Sequence, residues 1–166
     1  GPHTGWGTGI PFAALDFAPP SEKSGCTPAK VENFATASAN GLVVRSTTDG
    51  LALDLDRDGD ERTGWVLFYL HLATEERAPL GSDLKAGDKI GYPSCEGGRS
   101  TGTHIHIARK YNGEWIPADG ALPFVLSGWI PHNGLAAYQG TLTKGGLTVI
   151  ACECGDAYTS ISGNYP

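Results

Sequence analysis

Apolar residues along the chain come in short runs with polar partners, broken at frequent intervals by turn residues. Phe12 to Phe17, Leu42 to Arg45, Leu51 to Leu55 and Trp65 to Leu72 each read as strands. The last two are joined by Asp56-Arg57-Asp58-Gly59-Asp60, a hairpin-type connection. Lys85-Ala86-Gly87-Asp88 forms a turn into Lys89 to Tyr92. After a loop over 93–102, Thr103 to Lys110 forms another strand, and Tyr111-Asn112-Gly113-Glu114 turns the chain back at Trp115-Ile116. Gly140 to Leu142 and Leu147 to Cys152 are the last short strands, whereas 21–40 reads as a loop containing Cys26. There is no internal repeat, heptad pattern or long amphipathic helix. The pattern predicts an all-β fold: a single domain over 1–166 on antiparallel sheet, with a groove, long loops and little helix.

Composition supports this. The 24 glycines and 11 prolines are spread along all 166 residues, as many turns between short strands require. That length suits one domain with its own core. No apolar run is long enough to insert into a bilayer. Net charge is −6, from 12 basic and 18 acidic residues without a basic cluster, so nucleic acid is excluded as a partner. The same balance argues against charge-driven adhesion to an anionic cell wall. A monomer is expected.

Four cysteines, Cys26, Cys95, Cys152 and Cys154, allow three fully paired connectivities and lack the paired C-x-x-C knuckles of a structural zinc site. Disulfides in a secreted protein are the preferred reading, with Cys26–Cys95 as one pair and Cys152–Cys154 as an unusually small ring. The chain opens at Gly1-Pro2-His3 without a signal peptide, which reads as a processing site or a cloning remnant; secretion is inferred from the cysteines.

The candidate chemistry lies in the five histidines, His3, His71, His104, His106 and His132. In a strand, His104 and His106 point to one face, while Thr103, Ile105 and Ile107 point to the core. Two adjacent imidazoles suit a metal, although a hydrogen-bonded surface pair is the plain alternative. His71 ends an apolar strand, where a core histidine satisfied by a carbonyl is equally reasonable. Asp16 lies within Ala13-Ala14-Leu15-Asp16-Phe17, where an unpaired charge is costly unless a cation is near.

Pro2-His3, Ala14-Leu15-Asp16-Phe17, Tyr69-Leu70-His71-Leu72 and Ser100-Thr101-Gly102-Thr103-His104-Ile105-His106 resemble, in that order, the motifs of lysostaphin-type (LytM-like) zinc metallopeptidases. The Lys85 to Gly91 turn is also similar. The long step from His3 to Asp16 looks like the β-lytic endopeptidase and staphylolysin branch. The resemblance covers about residues 1–116, leaving 117–166 as a β extension packed on the same domain. It implies that His3, Asp16 and His106 bind Zn2+, with His71 and His104 as unligated catalytic histidines. Spacing alone equally allows both His104 and His106 on the metal. Three protein ligands leave an open position, the arrangement of a hydrolytic site. The resemblance further implies a tyrosine hydroxyl beside the substrate, for which Tyr138 is the candidate and Tyr111 the second choice. The implied activity is hydrolysis of Gly-containing peptide bonds in bacterial peptidoglycan cross-links or other Gly-rich peptides. The alternative is a noncatalytic LytM-like module that binds or regulates an amidase. A cupin also carries H-x-H on a strand, but the later Glu114 and His132 fit its spacing poorly.

Asp54-Leu55-Asp56-Arg57-Asp58-Gly59-Asp60 has the look of a calcium loop, but Trp65 stands where a bidentate Glu belongs. An acidic, solvated hairpin tip is the default reading. His132 reads as a loop residue, and Trp6, Tyr92, Tyr111 and Trp115 as packing residues.

Overall fold

The structure, a computed structural model, describes residues 1–20, 25–26, 33–152 and 157–163. Its strands are β1 (His3–Thr4), β2 (Phe12–Phe17), β3 (Ala35–Thr36), β4 (Gly41–Thr47), β5 (Gly50–Asp54), β6 (Trp65–Leu70), β7 (Asp83–Leu84), β8 (Lys89–Gly91), β9 (Ile105–Tyr111), β10 (Glu114–Trp115), β11 (Ile130–Asn133), β12 (Gly140–Lys144) and β13 (Leu147–Ile150). One 3-10 turn, Ala157–Thr159, is the only helical element among the described residues. The all-β expectation therefore holds, with every strand pairing antiparallel.

The main sheet runs β1-β2-β9-β6-β5-β4-β7, with β10 added to the end of β9. Its centre, β9, is flanked by β2 and β6, so residues distant in sequence are direct neighbours there. The β5–β6 hairpin forms as its pattern predicts, and Asn112 and Gly113 close β9 onto β10 with φ of +48° and +81°. Those left-handed values explain the Asn-Gly pair in a tight hairpin turn.

Alternation along the strands gives the sheet two faces. Leu15, Ile107, Tyr69 and Leu51 lie opposite one another across β2, β9, β6 and β5, and all four belong to the buried core. On the other face, one row runs His3, Ala14, Ala108, Phe68, Ala52 and Arg45. The next row holds Asp16, His106 and Leu70. A register shift between Val43 and Arg45 brings Arg45 onto this second face.

Several short elements escape the pattern. His132 is on β11 rather than in a loop, pairing with Thr141 in the small β11-β12-β13 sheet. Ala35–Thr36 is a strand inside the expected 21–40 loop. β6 ends at Leu70, so His71 follows the strand instead of closing it. Ala118 and Phe124 join the same core as the main sheet, tying the later part of the chain to the rest.

Cys26 and Cys95 form a disulfide across 69 positions, as expected. Cys154 lies outside the described residues, and with it the expected Cys152–Cys154 pair. No helix among the described residues is long and apolar enough to cross a membrane.

Candidate metal centre

His106 and Asp16 are paired residues on β9 and β2, and β1 lays His3 against β2 one row away. Their inward atoms converge. His3 Nε2 is 3.0 Å from His106 Nδ1, and Asp16 Oδ1 is 3.1 Å from the first and 3.2 Å from the second. Four ligands bound tetrahedrally at about 2.0–2.1 Å from zinc stand roughly 3.3–3.4 Å apart, so these three atoms nearly match one face of such a site.

The outer nitrogens decide what the inner ones can do. His3 Nδ1–H donates to the Gly1 carbonyl at 3.1 Å, and His106 Nε2–H donates to the Gly5 carbonyl at 2.9 Å. Each ring then presents a lone pair inward in its neutral form. Asp16 Oδ1 is buried and makes no well-formed hydrogen bond, despite lying close to both nitrogens. Two lone pairs and a carboxylate oxygen facing one another repel unless a cation sits between them. The residues therefore fit a divalent metal.

Burial pushes the Asp16 carboxyl up, but where protons occupy the inward nitrogens in place of a cation, hydrogen bonds from His106 and His3 and the charge of His3 and His104 outweigh it and hold the group well below the usual carboxylate range. Asp16 is thus a carboxylate at any working pH, as a ligand must be.

His71 and His104 stand beside this trio. Their ring centres are 4.4 Å apart, and His104 Nε2 lies 3.6 Å from Asp16 Oδ2. The backbone at His71 has φ +62°, a left-handed turn just past the end of β6, and its ring faces His104, immediately before β9, and His106 on it. His71 Nδ1–H donates to the Glu96 carbonyl at 2.9 Å. His104 Nδ1–H donates to the Gly102 carbonyl at 2.7 Å. Both Nε2 atoms are therefore left free of the proton as neutral rings. Burial pushes the His71 pKa below its ordinary value, only partly opposed by the Glu96 carbonyl.

One loop sets these two side chains. Ser94 N–H and Oγ–H both donate to the His71 carbonyl, at 2.7 and 2.9 Å, and His104 N–H donates to the Ser94 carbonyl at 3.3 Å. Cys95, next in line, is pinned by the disulfide, and the Glu96 carboxylate accepts hydrogen bonds from Thr74.

Of the tyrosines, Tyr138 reaches the centre. Its ring stacks on His3 at 4.2 Å and an angle of 22°, and it is 54% exposed. Tyr111 does not. It lies at the far end of β9 against Trp65, an odd number of residues from His106 and hence on the other face. The His132 ring is engaged outside the trio, with Nε2 bonded to Thr143 Oγ1 at 2.9 Å. The residues invisible to motif reading are the carbonyls of Gly1, Gly5, Glu96 and Gly102, because a backbone acceptor leaves no mark on side-chain identity.

Asp54, Asp56 and Asp58 form a second cluster of carboxylates within 4.8 Å of one another. Buried Asp54 is already satisfied by the Asp56 and Gly59 N–H groups, at 3.3 and 2.9 Å. The loop holds itself together, as an acidic hairpin tip does.

Comparison with known proteins bears on the fold and the sequence as a whole. The fold is that of an M23 metalloprotease: it superposes on pseudoalterin, a deep-sea M23 metalloprotease, with a TM-score of 0.71 at 20% identity, covering 91% of this chain and 86% of that one. In sequence the chain is similar to Protease LasA of two Pseudomonas aeruginosa strains, at 28% and 27% identity over 128 residues, or 73% of this chain. It spans 28% of the length of those relatives. No family model matches it. The resemblance to lysostaphin-type metallopeptidases thus extends from discrete motifs to most of the chain.

Proposed function

We propose that this protein is a secreted, monomeric zinc endopeptidase that hydrolyses peptide bonds, Gly-containing ones in particular, in bacterial peptidoglycan cross-links. The observation that carries the proposal is the convergence of His3 Nε2, Asp16 Oδ1 and His106 Nδ1 beside the paired rings of His71 and His104.

In this reading His3, Asp16 and His106 hold the zinc, and the single zinc domain extends over 1–166. When bound, zinc supplies Lewis acidity toward a carbonyl and an acidified water. His71 and His104 do the proton work. With Nδ1–H tied to a carbonyl, each Nε2 can accept a proton and later return it to a leaving amine. The lowered pKa of His71 keeps it unprotonated near neutrality, which suits it as the base. His104, whose Nε2 lies 3.6 Å from Asp16 Oδ2, stands beside the same position and serves to stabilise negative charge on the substrate oxygen. Tyr138, half-exposed at the rim and stacked on His3, contributes its hydroxyl to the same task. Glycine suits the site because a substrate without side chains can lie close to the sheet face.

The test is digestion of purified peptidoglycans of differing cross-link, with sequencing of the new termini. Activity on glycine-containing cross-links that disappears with chelator and returns with zinc is expected. Binding without cleavage would instead favour the noncatalytic module.

A further inference from the structure

The face that carries the metal centre also carries an aromatic and cationic patch, in a chain whose net charge is −6. Phe68, 1% exposed, is its hub. The Phe68 ring lies 6.4 Å from that of His106, 5.8 Å from Trp6 and 5.6 Å from Trp115. Arg45 stands 5.2 Å from its centre and Lys110 Nζ 5.9 Å, with Lys110 also 4.6 Å from the Trp115 ring.

The two cations differ. Arg45 is paired with Glu61 at 2.7 Å. Lys110 rests on the two aromatic rings and has no hydrogen-bond or ion-pair partner among the described residues. Burial lowers its pKa; Glu61 partly offsets this and Arg45 adds to it. Lys110 therefore holds three unused N–H donors in a partly dehydrated setting, where one anion would gain charge-assisted hydrogen bonds. Packing alone does not call for a lysine there, since an apolar side chain would cover Trp115 without the desolvation cost.

Position supplies the rest. Lys110 is four residues from His106 on the same face of β9, about 13 Å along the strand. Gly5 and Trp115, in contact with each other over buried Phe68 and Ala108, form the floor between them, and an extended peptide crossing that floor covers the span with about four residues. Trp6, 49% exposed, packs edge-on to Phe68, the same ring that Lys110 covers.

We propose that Lys110, seated on the Phe68 and Trp115 rings, is a substrate subsite for a carboxylate carried three or four residues from the bond that is cut. The subsite rests on the peptidase reading above. The carboxylate is either an acidic side chain or the free C-terminus of the substrate peptide.

Glycine peptides bearing a single Glu or Gln at successive positions on either side of the cleaved bond test this. A second pair ends in a free carboxylate or an amide at the same distance. The wild type should favour the carboxylate about tenfold in kcat/KM at three or four residues on one side, the scale of one charge-assisted hydrogen bond. Whichever pair shows the preference identifies the source of the carboxylate. The ratio should fall toward one in Lys110→Met, persist in Lys110→Arg, and shrink in the wild type as salt rises. A wild-type ratio near one at every position overturns the subsite, as does a preference that Lys110→Met leaves intact. If Lys110→Met does not fold, a wild-type preference insensitive to salt overturns it. Cleavage of neutral peptides without preference defeats the subsite alone, whereas no cleavage of any peptide defeats the peptidase reading beneath it.

Discussion

His3 Nε2 and His106 Nδ1 face each other at 3.0 Å across 103 positions of chain, with the Asp16 carboxylate against both. Carbonyl acceptors behind each ring turn the lone pairs of the neutral histidines inward, where a cation can bind all three groups at once.

Metal binding should therefore stabilise the folded state by linkage. With zinc a thousandfold above its Kd, the gain is about 4 kcal/mol. For a domain of this size that is roughly 10 °C in Tm. Calorimetry with and without chelator measures it, and coincident melting curves would contradict the metal centre.

Gly5 should be intolerant of a side chain. A Cβ there would meet the Trp115 ring at 2.6 Å, and the Gly5 carbonyl is the acceptor that orients His106. Gly5→Ala is expected to weaken zinc about 10- to 100-fold, the usual effect of disturbing a partner behind a ligand. Competition with a fluorescent chelator reads the change, and an unaltered affinity would show that Gly5 does not orient His106.

The His71 prediction concerns pH. Burial holds its folded-state pKa below the ordinary histidine value of about 6.5. The neutral, proton-accepting form thus persists through that pH and is lost only below it as acid is added. The acidic limb of kcat/KM should have its midpoint under 6.5 in the wild type. His71→Ala and His104→Ala should each lower kcat by about 10²–10⁴ with zinc content unchanged. Loss of zinc from either variant would make that residue a ligand instead.

Reducing the Cys26–Cys95 bond should cost both stability and turnover. The bond closes a loop of 69 residues, for which chain entropy gives about 4 kcal/mol. Cys95 also lies between Ser94 and Glu96, which hold His71 and His104. Cys26→Ser/Cys95→Ser is expected to fall in Tm and in kcat while retaining zinc. Full activity after reduction would show that the loop keeps its shape unaided.

Much of this arrangement was readable before the fold. The strand-like runs read at Phe12 to Phe17, Trp65 to Leu72 and Thr103 to Lys110 fall within two residues of the three strands that hold the centre, Phe12–Phe17, Trp65–Leu70 and Ile105–Tyr111. His104 and His106 share a face because strand side chains alternate. What stayed hidden is non-local. Two-residue strands such as β1 and β3 are too short to show a period, so their pairing comes from tertiary contact. Register across β1, β2, β9, β6, β5 and β4 aligned Phe68, Arg45 and His3 in one row, which no single segment encodes. His71 looked like a strand residue because its apolar neighbours are; its left-handed turn depends on the loop that grips it.

The most direct measurement follows cleavage of an oligoglycine-bridged peptide by mass spectrometry, using zinc-loaded, chelated and zinc-restored protein alongside His106→Ala. Cleavage between glycines by the loaded and restored protein only, with His106→Ala inactive and depleted of zinc, is the predicted result. Undiminished cleavage by the chelated protein, or a zinc-loaded protein that leaves every glycine bond intact, would contradict it.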